Sequence, residues 1–166
     1  MKLAINGGDP VIEDSIFHGF PNVDKEEILG ILGCFNRNIF SGFRAGDYDG
    51  GLEVMEFERT VAGMTGASYA VSFDTWSNGI VATLLSLGLE SGDEVLITPY
   101  TMTSCATSIL SCGAIPIFVD VCEDSGCIDP VDIKRKISNK TKAIFVVHLF
   151  GIPADMDAIM EIAEDN

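Results

Sequence analysis

From residue 69 onward the chain alternates short β-rich runs with stretches of helical periodicity, and that alternation restricts the fold to the α/β class. Tyr69-Ala70-Val71-Ser72-Phe73 reads as a strand. Ile80, Val81, Leu84, Leu85 and Leu87 follow at three- and four-residue steps, which places them on one helix face. Glu94 to Thr98 is the next strand, a helix is expected from about Met102 to Cys112, and Ile115 to Val121 is the third strand. Asp129-Pro130 has the form of an N-cap followed by proline at the first helical position, opening a helix over Val131 to Ile137. Ala143-Ile144-Phe145-Val146-Val147 is an unbroken apolar run, which suits a parallel strand covered on both faces. A last amphipathic helix begins near Asp155. Four strands, each followed by a helical pattern, predict a mostly parallel, doubly wound sheet with right-handed crossovers and flanking helices.

The preceding residues are less regular. Asp24 to Phe35 reads as an amphipathic helix, Phe40 to Gly51 as a Gly-rich loop, and Leu52 to Met64 as a second helix carrying Val54, Phe57, Val61 and Met64. The expected organisation is an N-terminal part of helices and loop over 1–68 and an α/β part over 69–166. The Gly-rich loop is read first as a connection, with a phosphate or substrate contact as the alternative.

With 25 acidic against 10 basic residues, the formal charge of −15 repels nucleic-acid phosphates and anionic membranes, so neither is expected as a partner. The first residues lack the apolar run of a signal peptide, and no stretch reaches the ~18 apolar residues of a membrane span. A cytoplasmic protein is expected. Cys34, Cys105, Cys112, Cys122 and Cys127 form an odd, scattered set without a CxxC pair. They are read as reduced thiols, with Cys122 and Cys127 as near neighbours around a Ser-Gly turn. No metal site is expected.

In an open parallel sheet, ligands sit beyond the carboxyl ends of the strands, where helix N-termini present unpaired N–H groups. Thr75, Trp76, Ser77 and Asn78 fall at such a point. Two readings stand: the N–H groups and the Ser77 hydroxyl bind a phosphate, or Thr75 or Ser77 simply caps the helix. Neither GxGxxG nor GKS/T is present to decide between them. His148 ends the buried strand at the same edge and is open to two roles, near a ligand or as a hydrogen-bonded structural residue.

Five segments, "INGGDPV", "EVMEFERTVAGMTGASYAV", "LLSLGLESGDEVLITPYT", "SCGAIPIFVDV" and "IDPVDIKRKISNKTKAIFVVHLFGIPADMDAI", resemble in wording and order the N-terminal portion of the DegT/DnrJ/EryC1/StrS family of sugar aminotransferases. The resemblance implies the large domain of a fold-type I transferase dependent on pyridoxal 5'-phosphate. A homodimer is implied, as are a nucleotide-linked keto-sugar substrate and an amino-acid donor such as glutamate. It also implies that the first strand, Tyr69 to Phe73, stands apart from the next three. Glu94 to Thr98 then lies centrally between Ile115 to Val121 and Ala143 to His148, all parallel.

Carried over by position, the family's Ser-Gly-Thr phosphate loop falls on Thr75-Trp76-Ser77. Ser77 supplies a hydroxyl, and Trp76, Ser77 and Asn78 supply backbone amides. Trp stands where the family has Gly, so its side chain must point away from the phosphate. The alternative register uses Ser77-Asn78-Gly79. The family's aromatic ring that stacks on the pyridine aligns with Met102, whose polarizable thioether can lie on a ring. The cofactor-binding set expected is therefore Thr75, Trp76, Ser77, Asn78 and Met102.

No catalytic residue is expected among the 166 positions. The family places its pyridine-nitrogen Asp, a nearby Gln and the Schiff-base Lys beyond the matched segments. Lys134 and Lys136 sit on a charged helix face, Lys140 and Lys142 flank a turn, and Lys2 and Lys25 precede the sheet. None stands at a strand-end pocket where desolvation would lower its pKa for imine chemistry. The expectation is an inactive N-terminal part of an aminotransferase. The alternatives are a sugar dehydratase of the same family or a non-catalytic α/β module.

Overall fold

The computed structural model describes residues 2–9, 23–38, 40 and 51–166. It divides into two compact units, Met1–Ala70 and Val71–Asn166.

In the first unit, helix α1 spans Lys25–Arg37. Asp24 caps it, accepting from Glu26 N–H at 2.9 Å while its own N–H donates to Glu27 Oε2 at 3.0 Å. That reciprocal arrangement satisfies donors a helix start otherwise leaves open. Asn38 ends α1 in the left-handed conformation. Helix α2 spans Leu52–Thr65 between Gly51 and Gly66, and Arg37 pairs with Glu53 across the two helices. No described residue of α1 or α2 is buried, and Ile28, Leu32, Phe57 and Met64 on their expected apolar faces are exposed while Val54 and Val61 are half-buried. Of the Gly-rich loop, residues 41–50 lie outside the described residues.

The second unit is built around a three-stranded parallel sheet. Helix α3 (Trp76–Ser86) leads to β1 (Glu94–Ile97), α4 (Thr103–Ser111), β2 (Ile115–Phe118), α5 (Pro130–Lys136), β3 (Thr141–Phe145) and α6 (Met156–Glu164). The strand order is β2-β1-β3, with Leu96 opposite Ile117 on one side and Ile144 on the other. This is the ladder the resemblance implied, with the strand at Glu94 in the centre.

Side-chain alternation along β1 separates two cores. Val95 and Ile97 pack with Ile80 and Leu84 of α3 and with Cys105 and Ile109 of α4. Leu96 faces Ile133 of α5 and Ile159 and Ile162 of α6. Burial on both faces is why Val95, Leu96 and Ile97 form an uninterrupted apolar run. Asp129 caps α5 through Val131 N–H at 2.9 Å, with Pro130 at the first position as expected.

Tyr69 to Phe73 departs from its expected strand. The segment has no regular structure, and Tyr69 and Val71 are exposed. A strand needs a ladder partner, and β1 already has β2 and β3 on its two edges. The third expected strand also stops early, at Phe118, because its chain turns into a hairpin around the bridge Val121 to Ile128.

Candidate active site at the carboxyl edge of the sheet

The sequence-predicted residues gather on the second unit at two helix starts. Thr75 is the N-cap of α3, and its Oγ1 accepts from Asn78 N–H at 3.2 Å. Gly79 N–H is taken by the Thr75 carbonyl at 3.1 Å. The side-chain amide of Asn78 donates to Asp74 Oδ1 at 2.8 Å. Among the described residues, Trp76 N–H, Ser77 N–H and the Ser77 hydroxyl are donors at this turn without a protein acceptor. Both readings of the segment have a residue: Thr75 caps, and Ser77 stays open at the positive end of an 11-residue helix.

The Trp76 indole meets Phe145, at the carboxyl end of β3, edge to face with centroids 6.2 Å apart. Its bulk is thereby directed over β3. The first turn of α3 is close-packed behind it, since the Phe73 ring lies 3.4 Å from where a Cβ on Gly79 would stand. Phe73, Thr75, Trp76, Ile80 and Phe145 help line a cleft of about 490 Å³. Phe145 was not singled out from sequence, because the apolar run of β3 carries no mark of which residue closes it.

Met102 is the residue before α4, extended in backbone and 71% exposed. Its neighbour Thr101 is engaged locally, with Oγ1 at 3.1 Å from Cys105 Sγ. Tyr100 turns elsewhere, its ring edge to face with Phe150 at 6.2 Å. Phe150 is a second residue sequence reasoning missed. It is 85% exposed and holds a positive φ of 52°, a strained conformation for a bulky side chain. His148 accepts the Ala154 N–H on Nδ1 at 3.1 Å, which assigns its neutral proton to Nε2. The hydrogen-bonded role is therefore present, in a residue that is exposed as a whole.

All six lysines are exposed. Lys136 is held by Asp132 Oδ2 at 2.9 Å and the Phe118 carbonyl at 2.7 Å. None lies in the cleft beside α3. No helix among the described residues is long and apolar enough to cross a membrane.

Residues 35–166 match the model of the DegT/DnrJ/EryC1/StrS aminotransferase family. The chain belongs to this family. Among curated relatives of the family, the spore coat polysaccharide biosynthesis protein SpsC of Bacillus subtilis is 32% identical over 90% of this chain and 36% of its own length. GDP-perosamine synthase of Escherichia coli O157:H7 is 42% identical over 70% of this chain and 32% of its own. Among solved structures, an aminotransferase from Psychrobacter cryohalolentis superposes with a TM-score of 0.81 at 32% identity, over 90% of this chain and 36% of that one. A Bacillus subtilis protein solved with bound cofactor PMP superposes with a TM-score of 0.74 at 28% identity, over 86% of this chain and 32% of that one. This DegT-family chain thus spans 32–36% of the length of these relatives, and the fold is that of their mixed α/β region with its parallel sheet.

Proposed function

We propose that the chain forms the phosphate-binding and ring-contact part of a pyridoxal-phosphate-dependent aminotransferase. The substrate proposed is a nucleotide-linked keto-sugar, with an amino-acid donor such as glutamate. The observation that carries the reading is the open donor set at the start of α3. Two backbone N–H groups and one hydroxyl at a positive helix end suit a phosphate dianion, and the Trp76 ring is already engaged by Phe145. The donor chemistry fits the cofactor's phosphate group. When bound, pyridoxal phosphate supplies an electron sink for moving an amino group.

The work left to this chain is binding and orientation. Ser77 and the amide of Trp76 hold the phosphate, Thr75 keeps the turn in shape through Asn78, and Met102 offers its thioether to the flat ring. His148 presents Nε2–H from a ring fixed by Ala154. GDP-perosamine synthase among the relatives supports the sugar-nucleotide class. A cytoplasmic homodimer is proposed on the family resemblance, supported by the exposed Ile28, Leu32, Phe57 and Met64 of α1 and α2.

The test is the affinity of pyridoxamine phosphate, which lacks an aldehyde and so ignores surface lysines, followed by ³¹P NMR. Ser77→Ala is expected to weaken it by roughly 5- to 150-fold, the equivalent of about 1–3 kcal/mol for a hydrogen bond to a charged group. Equal affinity in wild type and variant refutes the assignment of Ser77.

A further inference from the structure

The hairpin between β2 and α5 carries two thiols that the proposed reaction does not use. Val121 and Ile128 form an antiparallel bridge. Cys122 N–H donates to the Cys127 carbonyl at 2.9 Å, and Asp129 N–H to the Asp120 carbonyl at 2.9 Å. The Cys122 carbonyl in turn accepts from Gly126 N–H at 2.9 Å, and Cys127 N–H donates to Ser125 Oγ at 3.2 Å, so Cys122 faces a bulge made of Gly126 and Cys127. The bond from Cys122 N–H to the Cys127 carbonyl makes the two residues cross-strand neighbours, the adjacency that a disulfide, with its Cα window of about 4.4–6.8 Å, requires. Both cysteines are free thiols, Cys122 half-buried and Cys127 buried. Burial, and then the carboxylates of Asp129 and Asp124, push the Cys122 thiol up, which keeps it protonated at rest.

The hairpin is also tied to the loop after β3. Cys127 Sγ–H donates to the Ile152 carbonyl at 3.3 Å. Gly126 has a φ of +69°, and a Cβ there would stand 2.9 Å from Leu149 Cδ2 and 3.5 Å from the Tyr100 ring. Redox state at the hairpin therefore bears on the loop that carries His148 and Phe150.

We propose that Cys122 and Cys127 are an oxidation site that closes to an intrachain disulfide on meeting a small-molecule disulfide, and that closure loosens the 148–152 loop. The half-buried Cys122 gives up its proton as it attacks glutathione disulfide, and one glutathione leaves carrying that proton. Cys127 then attacks the Cys122 sulfur of the mixed disulfide and releases the second. Two electrons reduce the oxidant, and the two thiol protons end on the two glutathiones. The Cys127 proton that bonded Ile152 is gone, so that carbonyl must turn to water.

The experiment treats the chain with glutathione disulfide and then cleaves after Glu123, which lies between the two cysteines. The two flanking peptides should stay joined until reductant is added, with a mass about 2 Da below that of the dithiol, one proton lost from each sulfur. Amide exchange at Gly151 and Ile152 should quicken by roughly two- to tenfold, the scale of one lost neutral hydrogen bond. Cys127→Ser should leave glutathione on Cys122. Should that variant not fold, Cys122→Ser should leave the buried Cys127 reduced. Peptides that separate while another cysteine carries glutathione overturn the site. Joined peptides with unchanged exchange overturn its link to the loop.

Discussion

Replacing Asp132 tests how the polar edge of β2 is held. Its Oδ2 accepts from Asp120 N–H at 2.8 Å and from Lys136 Nζ at 2.9 Å, while Lys136 also reaches the Phe118 carbonyl. The carboxylate is nearly buried, whereas the lysine is 39% exposed. Asp132→Ala leaves Asp120 N–H without its charged acceptor, a loss of about 1.5–3 kcal/mol. The half-exposed lysine adds about 0–1 kcal/mol, because water and Phe118 retain it. The better helix propensity of alanine and the lost interaction of Asp132 with the helix dipole are each about 0.5 kcal/mol and opposite in sign. The sum is about 1.5–4 kcal/mol. Asp132→Asn keeps an oxygen for Asp120 and loses only charge, so about 1 kcal/mol is expected.

The pH dependence follows from the same contacts. Asp120 N–H first, and Lys136 second, hold the Asp132 carboxyl below its ordinary 3.8. A lowered folded pKa contributes stability above the unfolded value, lost as pH falls through the folded one. Urea unfolding at pH 7 and at successively lower pH should show the gap between wild type and Asp132→Asn closing only below about pH 4. Equal losses for the two variants at pH 7, or a gap unchanged into acid, refute the reasoning.

Thr75→Ala should lower stability by about 1 kcal/mol through the lost cap, read by thermal melting, with a smaller effect on pyridoxamine phosphate than Ser77→Ala has. A larger effect on the ligand would make Thr75 the phosphate residue. Met102→Phe should hold or tighten the same ligand in a fluorescence titration, and a large loss would count against the ring contact. Mixed with pyridoxal phosphate and borohydride, the chain should show scattered labelling of its exposed lysines by mass spectrometry. One stoichiometric adduct would mean a competent lysine is present.

Periodicity and capping alone place α3 to α6 and the start of α5 at Asp129-Pro130, because those signals depend on neighbours within a few residues. The apolar run at Ala143 likewise announces a strand, which the structure sets two residues earlier, at Thr141–Phe145, and leaves half-buried rather than fully covered. Tyr69 to Phe73 shows where local signals stop. Its residues favour a strand, but a strand exists only if a partner edge is free, and tertiary packing gives both edges of β1 to β2 and β3.

The candidate site divides in the same way. That Thr75 to Asn78 stand at the start of a helix is legible from order along the chain. Which hydroxyl caps and which stays open depends on backbone angles, and the structure gives the cap to Thr75 and leaves Ser77 free. The Trp76–Phe145 contact, the Nδ1 bond of His148 to Ala154 and the backbone bond of Cys122 to Cys127 join residues through the return of the chain. Sequence determines which groups are available to each position. Only the folded backbone, by setting register and turn geometry, decides which groups meet.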